Sequence, residues 1–259
     1  MRRKNIMLVG ATGVGKSSLI NAILGMQAAS VGTGADPETA EITGYDCDNA
    51  VFWDTPGFGD SAATDEKYMK QITEKLYETA GSGYLIDGAL LVIDAKVRDL
   101  GMAGKIIRQV LKPALGKALK NRVMVVINQA DMALSGRHWD SVFNAPDCVL
   151  KKRLAEEESV IAARLYEETG IMFRIGSLCA GWTDGATGIQ EASYGVAKIL
   201  EMFLSALPEY SRALPVSHTS GSDDYTFGDA VGNAVFQCLT TVLEAPLNIP
   251  DGIGDLLGF

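Results

Sequence analysis

An open α/β sheet, mostly parallel and doubly wound with helices on both faces, is the fold this sequence predicts. Three observations predict it. Short apolar runs of strand length alternate with longer segments of helical apolar spacing, the order that builds parallel βαβ units. The chain opens on a strand, a glycine-rich loop and a helix start. Polar residues able to do chemistry stand directly after several of the apolar runs, at the carboxyl ends where such sheets bind ligands.

The elements follow in order. Ile6-Met7-Leu8-Val9 is the first strand. Gly10-Ala11-Thr12-Gly13-Val14-Gly15-Lys16-Ser17 follows it and fits G-x-x-x-x-G-K-[S/T]. Ser18–Leu24 then has helical apolar spacing, and Gly25 stops it. This arrangement is a phosphate cradle. The backbone N–H groups of Gly13, Val14, Gly15, Lys16, Ser17 and Ser18 converge on a polyphosphate, and the helix dipole adds positive potential there. The Lys16 ammonium reaches the β- and γ-phosphates, and the Ser17 hydroxyl sits on Mg²⁺.

Ala28–Ala40, rich in Gly, Thr, Asp and Pro, is loop. Glu41–Asp46 and Ala50–Asp54 are extended, with Asp48-Asn49 as the hairpin turn between them. A loop over Thr55–Thr64 leads into a helix from Asp65 to about Ala80. Ala89–Ile93 and Val123–Ile127 are buried parallel strands, and Leu100–Leu119 between them is helical with a kink or break at Pro113. Leu150–Thr169 is a long charged helix, Ile171–Ile175 a strand, and Ile189–Leu207 a closing helix stopped by Pro208. Residues 1–208 thus read as one domain. Residues 209–259 read as an extension, with a polar linker around Ser217–Asp224 and an apolar stretch over Phe227–Leu243.

Composition agrees with a core-forming chain: 47% of the 259 residues are hydrophobic and 21% charged. A net charge of −9 argues against a broad nucleic-acid footprint. The basic clusters Arg2-Arg3-Lys4 and Lys151-Lys152-Arg153 read as solvated surface. Cys47, Cys148, Cys179 and Cys238 are scattered, without the paired spacing of a zinc site, and read as reduced thiols. The first strand starts too close to Met1 for a signal peptide, and no apolar stretch approaches the roughly 20 residues a spanning helix needs. A cytoplasmic location is expected.

Two further motifs stand behind the cradle. In Asp54-Thr55-Pro56-Gly57, the carboxylate can hold Mg²⁺ through a water and the Gly57 N–H can approach a γ-phosphate. In Asn128-Gln129-Ala130-Asp131, the Asp131 carboxylate can accept from both N1–H and N2–H₂ of guanine, a donor pair adenine lacks, while Asn128 braces the loops. Taken singly, each motif also describes an ordinary turn. Cradle, D-T-P-G and N-Q-A-D in this order, each ending its own strand, select the nucleotide reading.

With these motifs the chain resembles the translation-factor class of P-loop GTPases, with its Era-like, septin-like and immunity-related members. The wording V-G-T-G-A-D-P-E-T, the phrase N-Q-A-D and Gly181-Trp182 look like the bacterial "50S ribosome-binding GTPase" group of Era-like proteins, and V-F-W-D-T-P-G-F-G is similar to the immunity-related ones. The resemblance implies a switch that binds GTP and hydrolyses it to GDP and phosphate, with Lys16, Thr39 and Gly57 serving catalysis and Ser17, Thr39 and Asp54 serving Mg²⁺. It places Thr39, within Asp36–Thr39, over the metal and γ-phosphate. It assigns Ser177-Leu178, after Phe173-Arg174-Ile175, to the serine–alanine pair whose backbone N–H meets the guanine oxygen.

The chain departs from that pattern at three residues. Gln129 stands for the usual lysine, its stem able to lie on the guanine face, and Leu178 stands for alanine. Phe58 stands where Ras-like enzymes have the glutamine that orients water, so turnover should be slow. Asp60, Glu38, a homodimer or an activating protein is expected to supply the missing group, and Phe58→Ala to cost little beyond local packing. Two other readings are an ATPase, against which Asp131 argues, and a GTP-dependent self-assembling or membrane-associated structural protein. In the latter Phe227–Leu243 docks on its own domain, a partner or lipid. Ribosome or other nucleic-acid contact follows only from the resemblance and runs against the charge. Away from these motifs, His138 reads as a surface-loop residue, Trp182 as packed beside the base loop, and Met102, Met124 and Met172 as core or near-core.

Overall fold

The computed structural model describes residues 3–25, 28–29, 41–47, 50–81, 83–96, 99–182 and 192–208. In chain order the strands are β1 (Lys4–Gly10), β2 (Thr43–Cys47), β3 (Ala50–Asp54), β4 (Thr79–Ala80), β5 (Gly83–Tyr84), β6 (Gly88–Asp94), β7 (Val123–Asn128), β8 (Trp139–Asp140), β9 (Ala145–Pro146) and β10 (Arg174–Ser177). The helices are α1 (Lys16–Leu24), α2 (Ala62–Tyr77), α3 (Gly101–Ile106), α4 (Lys112–Leu115), α5 (Leu119–Arg122), α6 (Cys148–Thr169) and α7 (Val196–Leu204).

Six strands form one sheet in the order β10-β7-β6-β1-β3-β2. Every pairing is parallel except that of β2 with β3 at the edge. The chain moves from β1 towards β3, then returns past β1 to β6, β7 and β10. Winding therefore reverses at β1, and the crevice of such a sheet opens at that strand's carboxyl end.

Strand periodicity explains the two layers. On β1, Met7 and Val9 face the layer holding Tyr68, Ile72 and Leu76 of α2 and Ile161 and Leu165 of α6. Ile6 and Leu8 face the opposite layer, with Leu19, Ile20 and Ile23 of α1 and Ile199, Leu200 and Phe203 of α7. Both faces are covered, which is why β1, β6 and β7 read as continuous apolar runs. The predicted doubly wound sheet is the observed one.

Element limits differ where local chemistry overrides periodicity. Helix α2 begins at Ala62 rather than Asp65 because the Ser61 hydroxyl caps it, accepting from Thr64 N at 3.2 Å. The predicted helix over 100–119 is divided. Residues 107–111 form a π-type turn ahead of Pro113, which has no N–H to give the preceding turn, and Gly116 ends the next piece. The strand expected at 171–175 lies at Arg174–Ser177, because Phe173 is inserted in the helix-side core before pairing starts. Met172, read as near-core, is instead 62% exposed beside it. Met124 is fully buried and Met102 partly so.

The closing helix starts at Val196, since Tyr194 is engaged in a bridge with Cys179. The hairpins β4–β5 and β8–β9 were not expected; two-residue strands carry no periodic signal. The Asp48-Asn49 turn and all of residues 209–259 lie outside the described residues. Among the described residues no helix is long and apolar enough to cross a membrane.

Helix α6 is anchored by Asp147, whose Oδ1 accepts from Val149 N at 2.9 Å and Leu150 N at 3.0 Å. His138 Nδ1 lies 2.8 Å from its other oxygen, so the histidine is a surface residue with a structural partner. The backbone bond from Leu150, then the His138 contact, hold the Asp147 carboxyl below its ordinary value. A carboxylate depressed on folding stabilises above its unfolded pKa and ceases to do so as pH falls through its folded one. Amide-exchange protection of the first turn of α6 should therefore weaken on acidification below about pH 4. Asp147→Asn should flatten that dependence.

Candidate functional site

The carboxyl ends of β1, β3, β7 and β10 bring the sequence motifs to one end of the sheet. After β1, the cradle loop turns into α1, whose N-terminal residue Gly15 has φ 87° and offers no side-chain cap. The first helical N–H groups, those of Lys16, Ser17 and Ser18, are thus left for an incoming anion. Gly15 must be glycine for a second reason: a Cβ there would collide with Nδ2 of Asn128. Gly57 faces the same constraint, since its Cβ would come within 2.6 Å of Thr12 Cα.

Lys16 is 7% exposed, its ammonium folded back onto the carbonyls of Gly10 at 3.4 Å and Ala11 at 3.0 Å. Burial brings its pKa down from 10.5 to about 8, against the attraction of Asp54 and Asp60. The Ser17 hydroxyl donates to Asp54 Oδ2 at 2.6 Å. A hydroxyl and a carboxylate so placed, next to a phosphate cradle, form the hard-oxygen donor set that Mg²⁺ takes together with phosphate oxygens. Among the described residues no cluster of three or more His, Cys, Asp or Glu could hold a metal by itself. These residues fit Mg²⁺ that arrives with a nucleotide.

The base end is built around Asn128, at the end of β7 and 2% exposed. Its Nδ2 donates to Val14 O at 2.9 Å and Gly15 O at 3.4 Å, while its Oδ1 accepts from Ala180 N at 3.0 Å. Gln129, at φ 61°, donates to Gly13 O at 3.0 Å, so its amide lies towards the cradle. Asp131 Oδ1 accepts from the Cys179 thiol at 3.1 Å. Burial, and then that bond, push the Cys179 thiol up to about 12, which keeps it protonated as the donor.

Several sequence expectations need correcting. The Leu178 N–H is committed to Ile127 O at 2.8 Å within the sheet, and its side chain is fully buried, so it cannot meet a guanine oxygen. Ser177 Oγ donates to Glu158 Oε1 at 2.7 Å, away from the base loop. The residues that close on the base motif are Cys179 and Ala180, which sequence reasoning missed because Ser177 drew the alignment two positions early. Trp182 is 56% exposed rather than packed. Thr39 and Glu38 lie outside the described residues.

Phe58 is 1% exposed, packed in the core with Tyr68 and Ile72 of α2. Its backbone zips onto the cradle, Phe58 N to Gly10 O at 3.3 Å and Thr12 N to Phe58 O at 2.8 Å. The "local packing" it provides is therefore a large quantity.

Comparison with known proteins agrees with this geometry. Residues 5–129 match a family model described as 50S ribosome-binding GTPase. GTPase Der of Nautilia profundicola is 37% identical over 132 residues, covering 49% of this chain and 26% of that protein. The chain therefore spans about a quarter of the length of the curated relatives it matches. Solved structures share the fold, among them the following two. Era in complex with MgGDPNP and a 16S ribosomal RNA segment has a TM-score of 0.54 at 20% identity, over 83% of this chain and 60% of that one. The chloroplast translocon components atToc33 and psToc159 give 0.58 at 14%, over 83% and 87%.

Two outcomes follow from the buried groups. A lysine whose pKa is lowered on folding costs stability while it is charged. Nucleotide-free protein should thus gain stability as pH rises from about 8 towards 10.5. Lys16→Met should raise its melting temperature at pH 7, by up to about 3 kcal/mol of stability, while abolishing any rise on adding nucleotide. Phe58→Ala should lose about 3–5 kcal/mol in denaturant unfolding, as for other fully buried phenylalanines.

Proposed function

Residues 5–129 carry an Era-like P-loop GTPase domain, and from that premise we propose that this chain is a cytoplasmic GTP-binding switch. In this reading it hydrolyses GTP slowly to GDP and phosphate. The observation that carries it is the joining of phosphate and base ends by one side chain: Asn128 holds Val14 of the cradle and Ala180 beside the base loop at once.

The residues then have separable roles. N–H groups of Gly13–Ser18 receive the phosphates, and Lys16 exchanges the carbonyls of Gly10 and Ala11 for β- and γ-phosphate oxygens. Ser17 and Asp54, already hydrogen-bonded to each other, are the residues that would hold Mg²⁺. The chemistry supplied by the bound ion is neutralisation of charge on the β- and γ-phosphates. Asp131, oriented by the Cys179 thiol, accepts from the two adjacent donors of guanine.

Gly57, with no side chain between its N–H and the cradle, answers to the γ-phosphate, as Thr39 does in the first switch loop. Loss of that phosphate releases both loops. Slow turnover follows from Phe58, whose side chain is in the core where a water-orienting group would be needed. An ATPase reading is opposed by the same Asp131 carboxylate, which has no matching pair of donors on adenine.

Displacement of a fluorescent GTP analogue tests the assignment: unlabelled GTP should compete far better than ATP. Asp131→Asn should lose GTP by roughly 10⁴-fold and gain xanthosine triphosphate, because the hydrogen-bonding pattern is then inverted. Equal competition by GTP and ATP in the unaltered protein would sink the guanine assignment.

A further inference from the structure

We propose that Asp60, steadied by Thr12, is the group that orients and deprotonates the attacking water, in cis. This rests on the GTPase reading above.

The segment that follows Asp54-Thr55-Pro56-Gly57 is held at three points. Phe58 is bonded to Gly10 and Thr12 through its backbone, forming a one-residue parallel bridge between Ala11 and Phe58. Its ring is buried at 1% exposure, so the position used for a water-orienting side chain points into the core. Gly59 N donates to Asp65 Oδ1 at 2.8 Å, tying the next residue to the start of α2. Gly59 has φ 111°, a conformation that L side chains rarely adopt, and the reversal it makes brings Asp60 back over the cradle. There the Thr12 hydroxyl donates to Asp60 Oδ1 at 3.2 Å.

Both side chains are solvent-exposed, on the wet side of the cradle mouth. The Asp60 charge also acts on the Lys16 ammonium, the cation assigned above to the terminal phosphates. The core-directed Phe58 and the returning Asp60 are thus two consequences of one backbone path. The group displaced from the usual position reappears two residues later.

With Oδ1 engaged by Thr12, Oδ2 is the oxygen offered to water. The water oxygen forms a bond to the γ-phosphorus as the bond from phosphorus to the β–γ bridging oxygen breaks, its electron pair leaving with GDP. The proton lost by the water passes to Asp60 and from there to the phosphate product, which returns the carboxylate to its ionised form. Asp60 is a catalytic residue in this scheme, and Thr12 a positioning one.

The test uses the full chain and two readouts: single-turnover GTP hydrolysis, and affinity for GMPPNP and for GDP with aluminium fluoride. Asp60→Asn keeps the oxygen that accepts from Thr12 and removes only the base. It should slow hydrolysis about 10²-fold, leave GMPPNP affinity within about twofold, and weaken the aluminium fluoride complex by a factor like that of the rate. Thr12→Val should give a smaller loss, about tenfold, in the rate alone.

Asp60→Asn at the unaltered rate overturns the proposal, as does a rate loss matched by an equal loss of GMPPNP affinity. So does a specific activity that rises with protein concentration and is indifferent to Asp60, which would put the group on a second copy. Unaltered protein that binds no GTP overturns the GTPase reading together with this one, whereas bound GTP hydrolysed equally by Asp60→Asn overturns this one alone.

Discussion

The site depends on one buried amide. Asn128 satisfies both ends of its side chain, giving hydrogens to the Val14 and Gly15 carbonyls and taking one from Ala180 N. Its removal would take from the Val14 carbonyl its buried hydrogen-bond donor, at a cost of about 1–3 kcal/mol. Because the amide occupies the space a Cβ at position 15 would need, the glycine and the asparagine constrain each other across 113 residues of chain. The geometry of the phosphate end is thereby transmitted to the base end without a flexible link.

The sheet supplies the rest of the rigidity. Thr55 Oγ1 donates to Leu8 O at 2.6 Å, and Thr55 N to Asp54 Oδ1 at 3.0 Å, so the end of β3 is stitched to β1 before either reaches the cradle. Against this frame, the uncapped start of α1 and the desolvated ammonium of Lys16 are left in an electrostatically unfavourable state. That state is one only an anion relieves, so stability withheld from the nucleotide-free protein becomes affinity when a polyphosphate arrives.

Much of this was legible in the sequence, for identifiable reasons. Strands buried on both faces announce themselves as apolar runs, and the cradle motif fixes a strand, a loop and a helix together. The reading failed where a residue's role depends on partners distant in sequence. Leu178 matched a motif by position, yet its N–H is taken by Ile127 and its side chain fills the core beside α7. Cys179 has no motif of its own, and only the fold shows its thiol against Asp131. The break of the helical segment at 107–116 was signalled by Pro113, but not the π-type turn that accommodates it. Met172 had the composition of a core residue without the periodic context that would have placed it on either face.

The domain closes on itself at the end away from all of this chemistry. Lys4 Nζ, at the first residue of β1, donates to Pro208 O at 2.9 Å. Lys4 and Gly10 stand at the two ends of the seven-residue strand β1, a span of about 20 Å. Pro208, the last described residue, therefore stands at the pole opposite the cradle. A signal passing from the phosphates to Pro208 has no short route through space. It must be carried by displacement of the sheet or its flanking helices, in the manner of a lever rather than a latch.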